Sequence, residues 1–153
     1  MANPISDDVE LDVRRPAPVA SSPRIQDWRY PATAGSVGVM RGELRPFLAQ
    51  SGLPDVDIDD LILAASEAAA NGIEHAVHPT EPYLDVRAEV EGRRVRIVVR
   101  DYGRWATRPP HPAGRGRGLH MMTMLAAVSL TSGPLGTTVT IRNLVDGRGD
   151  RGA

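Results

Sequence analysis

The sequence contains no cysteine, few aromatic residues and no long apolar run. Without cysteine, the chain can form no disulfide, no thiolate metal site and no cysteine nucleophile. Aromatic residues make up only 4% of the 153 residues, so any core must consist of aliphatic side chains. No stretch approaches the roughly 18 consecutive apolar residues of a membrane-spanning helix. The first residues also lack the pattern of a secretory signal. We therefore expect a cytoplasmic protein with no membrane partner.

The charge is balanced, with 18 Lys and Arg against 19 Asp and Glu and a formal net charge of −1. Such a balance provides no bulk attraction to nucleic acid or to a membrane surface. Hydrophobic residues make up 41% of the chain, which is enough for a packed core. The length predicts a single domain.

The two ends of the chain differ in composition from the middle. Residues 1–23 contain four prolines among Asp, Ser and Ala, and residues 146–153 are rich in Gly, Asp and Arg. Such segments bury too little apolar surface to offset the entropy of ordering. We expect disordered tails at 1–23 and 146–153, and a folded domain at 24–145.

Apolar residues recur at helical spacing in two long segments. The first helix is predicted from Ser36 to Gln50. The second begins at Pro54–Asp55 and is expected to close at His78–Pro79. Its apolar stripe consists of Ile58, Ile62, Ala65, Ala69, Ile73 and Ala76. A third helix is predicted from Leu119.

Alternating apolar and polar residues predict strands in the second half of the chain. Two such runs, 84–90 and 95–99, flank Gly92 and predict an antiparallel hairpin with one solvated face. Two more strands are predicted at 128–130 and 137–142. Together these elements predict an α/β fold, a two-layer sandwich with helices on one face of a mixed, mostly antiparallel sheet.

Glu67, Asn71 and His75 lie four residues apart in the second helix and therefore share one face of it. Glu67 and Asn71 fall opposite the apolar stripe. The simplest interpretation is a solvated helix face. The alternative is a carboxylate base beside an amide oxygen that ligates a hard cation such as Mg²⁺.

Two further segments combine glycine with charged residues. Asp101 and Gly103 follow a predicted strand, where they form either a turn or a hydrogen-bonding site for an exocyclic amine. Gly114–Arg–Gly–Arg–Gly118 precedes the third helix, where it is either a flexible linker or a phosphate site.

Taken in order, these motifs resemble the nucleotide site of the gyrase and histidine kinase type ATPases (the Bergerat fold). The resemblance is closest to the anti-sigma factor serine/threonine-protein kinases. It is carried by Ser66-Glu-Ala-Ala-Ala-Asn-Gly-Ile-Glu-His75, Arg100-Asp-Tyr-Gly-Arg-Trp105 and Gly116-Arg-Gly-Leu119, and it covers about Ile25 to Leu144. It implies a histidine-kinase-like ATPase domain that uses ATP and Mg²⁺.

The resemblance also implies a role for each matched residue. Glu67 corresponds to the general base, Asn71 to the Mg²⁺ ligand, and His75 to a polar position near the phosphates. Asp101 corresponds to the residue that reads the adenine amino group. The other implied nucleotide-binding residues are Gly103, Arg115, Gly116, Arg117, Gly118, Leu119 and Thr137. The sequence departs from the family pattern at Trp105, which stands where a second glycine is expected.

The activity implied by the resemblance is phosphorylation of a serine or threonine in an anti-anti-sigma antagonist. The same protein would sequester a sigma factor, act as a homodimer and bind no nucleic acid directly. One alternative is a non-catalytic nucleotide-binding module that regulates by protein contact. Another is an arginine-mediated nucleic-acid binder, which the net charge and the scarcity of stacking aromatics disfavour.

Overall fold

The computed structural model describes residues 22–105 and 122–144. Its main sheet contains, in spatial order, β1 (Arg24–Pro31), β3 (Tyr83–Glu91), β4 (Arg94–Asp101), β7 (Gly136–Arg142) and β6 (Ala127–Gly133). Each pairing within this sheet is antiparallel. Two helices, α1 (Gly35–Ala49) and α2 (Asp55–His75), supply the second layer. The predicted two-layer α/β fold is confirmed.

The predicted helices and the predicted hairpin are present with small differences in their bounds. The helix α2 ends at His75, three residues before the predicted end, because Ala76 and Val77 form a short strand, β2. This strand pairs with β5 (Arg104–Trp105) in a separate two-stranded sheet. A tertiary pairing thus ends the helix before the His–Pro step is reached. Of the predicted third helix, the structure describes residues 122–125, which are helical.

The core lies between the helices and one face of the sheet. The sheet contributes alternate residues of the hairpin and of β7, and α1 contributes Met40, Leu44 and Leu48. The helix α2 contributes mostly small residues, Ala64, Ala65, Ala68 and Ala69, together with Ile58, Leu61 and Ile62. Since these side chains are short, α2 packs close to strands β4 and β7, which it contacts.

The buried face of α2 is broader than the predicted stripe. It also includes Leu61, Ala68 and Gly72, whereas Ile73 is only partly buried. This shift changes the environment of the polar face. The sequence predicts that Glu67 and Asn71 point away from the core. In the structure both are half-buried at the edge of the polar face.

Strand β1 was not expected from the sequence pattern. Tyr30 is buried and Trp28 packs edge-on against Phe47 of α1, with ring centroids 5.7 Å apart. On the other face, however, Ile25 is exposed, so hydrophobic residues occur on both sides of this edge strand. The alternation that identifies a strand is therefore weak here. Within the described residues, no helix is long and apolar enough to cross a membrane.

Candidate functional site

Asp101 stands at the end of β4, on the face of the sheet that α2 covers. It is only 4% exposed, and its Oδ1 accepts a hydrogen bond from the backbone N–H of Gly103 at 3.0 Å. Thr137 of β7 lies opposite Asp101 in the register and is fully buried. The Thr137 hydroxyl is 3.0 Å from the Ser132 hydroxyl of β6. The sheet thus brings three polar side chains into one row at this end of the core.

Helix α2 crosses this row at Gly72. A Cβ on Gly72 would lie 3.0 Å from Oδ2 of Asp101 and 3.3 Å from Cδ2 of Leu84. These distances leave no room for a side chain without a shift of the buried carboxylate. Asn71 immediately precedes Gly72, so the predicted metal ligand and the predicted adenine-reading residue belong to neighbouring parts of one site.

Glu67, Asn71 and His75 follow one another at single-turn spacing along α2, and all three are half-buried. His75 is the last residue of the helix, and its Nε2 is 3.8 Å from Glu74. The described residues contain no group of three or more His, Asp or Glu side chains that could hold a metal. Asn71 fits Mg²⁺ nonetheless, because this ion keeps several water ligands and takes few from the protein besides substrate phosphates.

Glycines make the close contacts of the site possible, but not always for the expected reason. Gly103 was expected to let a planar ligand approach. In the structure, a Cβ on Gly103 would lie 2.5 Å from Cβ of Ala76, so a side chain there would collide with β2. A Cβ on Gly136 would overlap the backbone oxygen of Asp101, and Gly136 has φ +139°. Only glycine readily adopts that conformation.

Sequence reasoning missed Ser132, and it used Gly136 only as the glycine of the Gly–Thr step before the last strand. Gly136 carries a detectable signal, since a glycine before a threonine-rich strand marks a tight approach. Ser132 carries none, because nothing in its local pattern distinguishes it from other strand serines. The predicted phosphate-binding residues Arg115, Gly116, Arg117, Gly118 and Leu119 lie outside the described residues.

A cavity of about 480 Å³ lies on the opposite face of the sheet. Its polar lining includes Asp27, Arg29, Asp85, Arg87, Arg96 and Arg100. None of the predicted site residues lines it. The candidate site is therefore the row around Asp101 and the adjacent turn of α2, which the sheet separates from this cavity.

A family model described as a histidine kinase-like ATPase domain matches residues 30–143. The chain belongs to this family. The matched range includes Glu67, Asn71, Asp101 and Thr137. In this histidine kinase-like ATPase domain, the helix α2 and the ends of β4 and β7 thus carry the candidate site.

Individual relatives agree with this assignment. A serine-protein kinase RsbW of Bacillus velezensis is 32% identical over 78 residues, which cover 50% of this chain and 49% of the relative. The chain thus spans about half the length of this curated relative. The crystal structure of the RsbU and RsbW domains of a Mycobacterium tuberculosis protein matches with a TM-score of 0.64 and 29% identity, over 78% of this chain and 32% of that one.

A second similar structure is that of a blue-light activated histidine kinase of Erythrobacter litoralis. It has a TM-score of 0.51 and 20% identity, over 70% of this chain and 41% of that chain. At this identity the likeness concerns the fold alone. The RsbW relatives therefore carry more information about this chain than the histidine kinase does.

Proposed function

We propose that this domain binds ATP with Mg²⁺ and phosphorylates a serine or threonine of an antagonist protein. The observation that supports ATP binding best is the buried carboxylate of Asp101, which lies against Gly72 and in register with Thr137. A carboxylate can accept several hydrogen bonds at once, and the exocyclic amine of adenine is a donor of the kind that it accepts. The serine-protein kinase RsbW of Bacillus velezensis supports the transfer step.

In this proposal, the nucleotide extends from Asp101 toward the exposed edge of α2. Bound Mg²⁺ would neutralise phosphate charge, and Asn71 is the side chain placed to hold it. Thr137, which Ser132 contacts, would support the adenine end. The residues present therefore fit a nucleotide whose base is buried and whose phosphates lie near the helix.

Glu67 is the proposed general base. It lies one helical turn before Asn71 and is half-buried, so it is accessible to a seryl hydroxyl brought to the site by a partner protein. Its carboxylate would accept the hydroxyl proton while the oxygen attacks the transferred phosphoryl group. A domain that merely held nucleotide would have no use for a base at this position.

The proposal includes the protein partners. The antagonist would be an anti-anti-sigma protein, the domain would sequester a sigma factor in the cytoplasm, and two copies would form a homodimer. Support for these partners comes from the resemblance of the motifs to anti-sigma factor kinases, whereas the similar serine-protein kinase RsbW supports the transfer step. Co-purification with candidate sigma factors and analytical ultracentrifugation test these parts separately.

The decisive experiment compares Glu67→Gln with the unsubstituted chain. Both are incubated with labelled ATP, Mg²⁺ and candidate antagonists, and phosphoserine or phosphothreonine is measured. General-base catalysis contributes roughly 10²- to 10⁴-fold, so transfer should fall by about that factor while ATP affinity is unchanged.

Glu74→Gln is the matched control, because Glu74 lies on the same helix and its side chain is 67% exposed. It should transfer phosphate at the normal rate. If the unsubstituted chain binds ATP but phosphorylates no antagonist, the domain is a non-catalytic nucleotide-binding regulator. If Glu67→Gln abolishes ATP binding or unfolds the domain, Glu67 has a structural role.

A further inference from the structure

Tyr102 lies between two predicted adenine-site residues, Asp101 and Gly103, yet its side chain is on the opposite face of the sheet. Its hydroxyl donates a hydrogen bond to Oδ2 of Asp85 on β3. Asp85 in turn accepts two hydrogen bonds from Arg29 of β1, at 2.7 and 3.1 Å. The residue between the two site residues is thus tied to the two strands at one edge of the sheet.

Two further sets of contacts hold Tyr102. Its ring meets Tyr83 edge-on at 5.2 Å, and the Arg100 guanidinium lies over it at 4.7 Å from the ring centroid. Its backbone oxygen accepts hydrogen bonds from the backbone N–H and the hydroxyl of Thr80, at 2.9 and 3.3 Å. The backbone on either side of Tyr102 therefore has little freedom to move.

The hydrogen bond to Asp85 persists at neutral pH. The Arg29 guanidinium holds the pKa of the Asp85 carboxyl below its usual range, so the carboxylate is charged and remains an acceptor. The hydrogen bond to Asp85 raises the pKa of the Tyr102 hydroxyl, which therefore remains a donor. Hydrogen bonds to charged acceptors are also stronger than those between neutral groups.

We propose that Tyr102 is a positioning residue for purine recognition, anchored through Asp85 on the far side of the sheet. The turn that bears Asp101 contacts the nucleotide site on one face and the Asp85 cluster on the other. The Gly103 N–H donates a hydrogen bond to Asp101 Oδ1. A rotation of the backbone at Tyr102 therefore changes the orientation of the Asp101 carboxylate. This inference rests on the proposed function, since it assigns Tyr102 to the same nucleotide site.

Tyr102→Phe in the full 153-residue chain is the test, because it removes the hydroxyl and keeps the ring. We expect ATP affinity to fall about three- to tenfold, which is less than the loss of a direct charge-assisted hydrogen bond would cause, because Tyr102 acts on the nucleotide only through Asp101. ITP has an oxygen in place of the exocyclic amine, so the affinity for ITP should fall less. The ratio of ATP affinity to ITP affinity should therefore decrease. A merely structural role would weaken both nucleotides equally.

Tyr83→Phe is the matched control. Tyr83 belongs to the same aromatic pair, and among the residues described its hydroxyl has no hydrogen-bond partner. Its removal should leave the ATP affinity and the ATP-to-ITP ratio unchanged. A second variant, Asp85→Asn, keeps an acceptor without the charge and should narrow the ratio less than Tyr102→Phe does.

The outcomes separate this inference from the proposed function. If the unsubstituted chain binds ATP and Tyr102→Phe matches Tyr83→Phe, the positioning role is wrong and the proposed function stands. Equal losses for ATP and ITP also overturn the positioning role. If the unsubstituted chain binds no ATP, the proposed function fails, and the role of Tyr102 fails with it. If Tyr102→Phe does not fold, an unchanged nucleotide ratio in Asp85→Asn overturns the inference.

Discussion

Gly72 of α2 and Asp101 of β4 meet with no space between them, since a Cβ on Gly72 would lie 3.0 Å from the Asp101 carboxylate. The contact joins the helix that carries Glu67 and Asn71 to the strand end that carries Asp101, the carboxylate proposed to read adenine. It is therefore the place where the two halves of the candidate site are held in register.

Gly72→Ala should weaken ATP binding more than it weakens the fold. The added methyl group displaces the buried carboxylate, while alanine favours the helix by up to about 1 kcal/mol over glycine. We expect ATP affinity to fall roughly tenfold, the cost of about one misplaced hydrogen bond, in isothermal calorimetry. Gly42→Ala is the control, because a Cβ there meets nothing within 4 Å. It should raise stability by about 0.5–1 kcal/mol and leave affinity unchanged. The prediction is wrong if both variants bind ATP equally well.

Asp101→Asn should reduce ATP affinity by about one to two decades, since an unsatisfied buried polar group costs roughly 1–3 kcal/mol. The asparagine oxygen can still accept the hydrogen bond from Gly103, which leaves an NH₂ group facing the adenine amine. Circular dichroism should show an intact fold. Calorimetry that gives the same ATP affinity for both proteins would rule out Asp101 as the adenine-reading residue.

Asn71→Ala should weaken binding of Mg·ATP far more than binding of ATP in the presence of a chelator. The amide oxygen contacts only the metal in the proposed site. Its loss should therefore leave the affinity for metal-free ATP unchanged. The measurement is a pair of titrations, with and without Mg²⁺, for each protein. Equal losses in the two conditions would indicate that Asn71 supports the helix and not the metal.

Acid should destabilise the fold partly through Asp85. Its hydrogen bonds from Arg29 lower its pKa below the ordinary value of 3.8. A group whose pKa is lowered by folding stabilises the protein above its unfolded pKa, and that stabilisation is lost as the pH falls through the folded pKa. Asp85→Asn should therefore be less stable than the unsubstituted chain at pH 7, and the difference should shrink below pH 3.8.

Urea denaturation across this pH range measures the effect. Asp27→Asn is a useful comparison, because Arg87 likewise lowers the pKa of Asp27 on the same face of the sheet. Asp27 bonds to Arg87, whereas the Tyr102 hydroxyl bonds to Asp85, so the Asp27 variant keeps the anchor of Tyr102 and should leave ATP affinity unchanged. A pH-independent difference between Asp85→Asn and the unsubstituted chain would contradict the prediction.

The sequence predicted the helices and the β3–β4 hairpin because their patterns are local. Period and turn chemistry identify α1, α2 and the Gly92 turn without reference to the rest of the chain. The pairing of Ala76 with Trp105 cannot be predicted in this way, since it depends on residues far apart in sequence. For the same reason the end of α2 was predicted too late.

The same distinction between local patterns and contacts across strands applies to the candidate site. Asp101 and Asn71 were identified from motif order, and the structure adds that the residue after Asn71 touches Asp101. The contacts of Ser132 and Tyr102 are with cross-strand neighbours, Thr137 and Asp85, that no local pattern reveals. Sequence reasoning thus found groups with evident chemistry, and it did not find the cross-strand contacts around them.

The alanine-rich face of α2 has a geometric consequence. Ala64, Ala65, Ala68 and Ala69 are all at most 1% exposed and determine how closely the helix approaches the sheet. These methyl groups therefore set the distance between α2 and the end of β4. A larger residue at any of these four positions would move α2 away from the sheet. The distance between Asn71, proposed to lie near the phosphates, and Asp101, proposed to bind the base, would then increase, although both side chains would still be present. The spacing between the two sides of the candidate site thus depends on alanines that take no part in its chemistry.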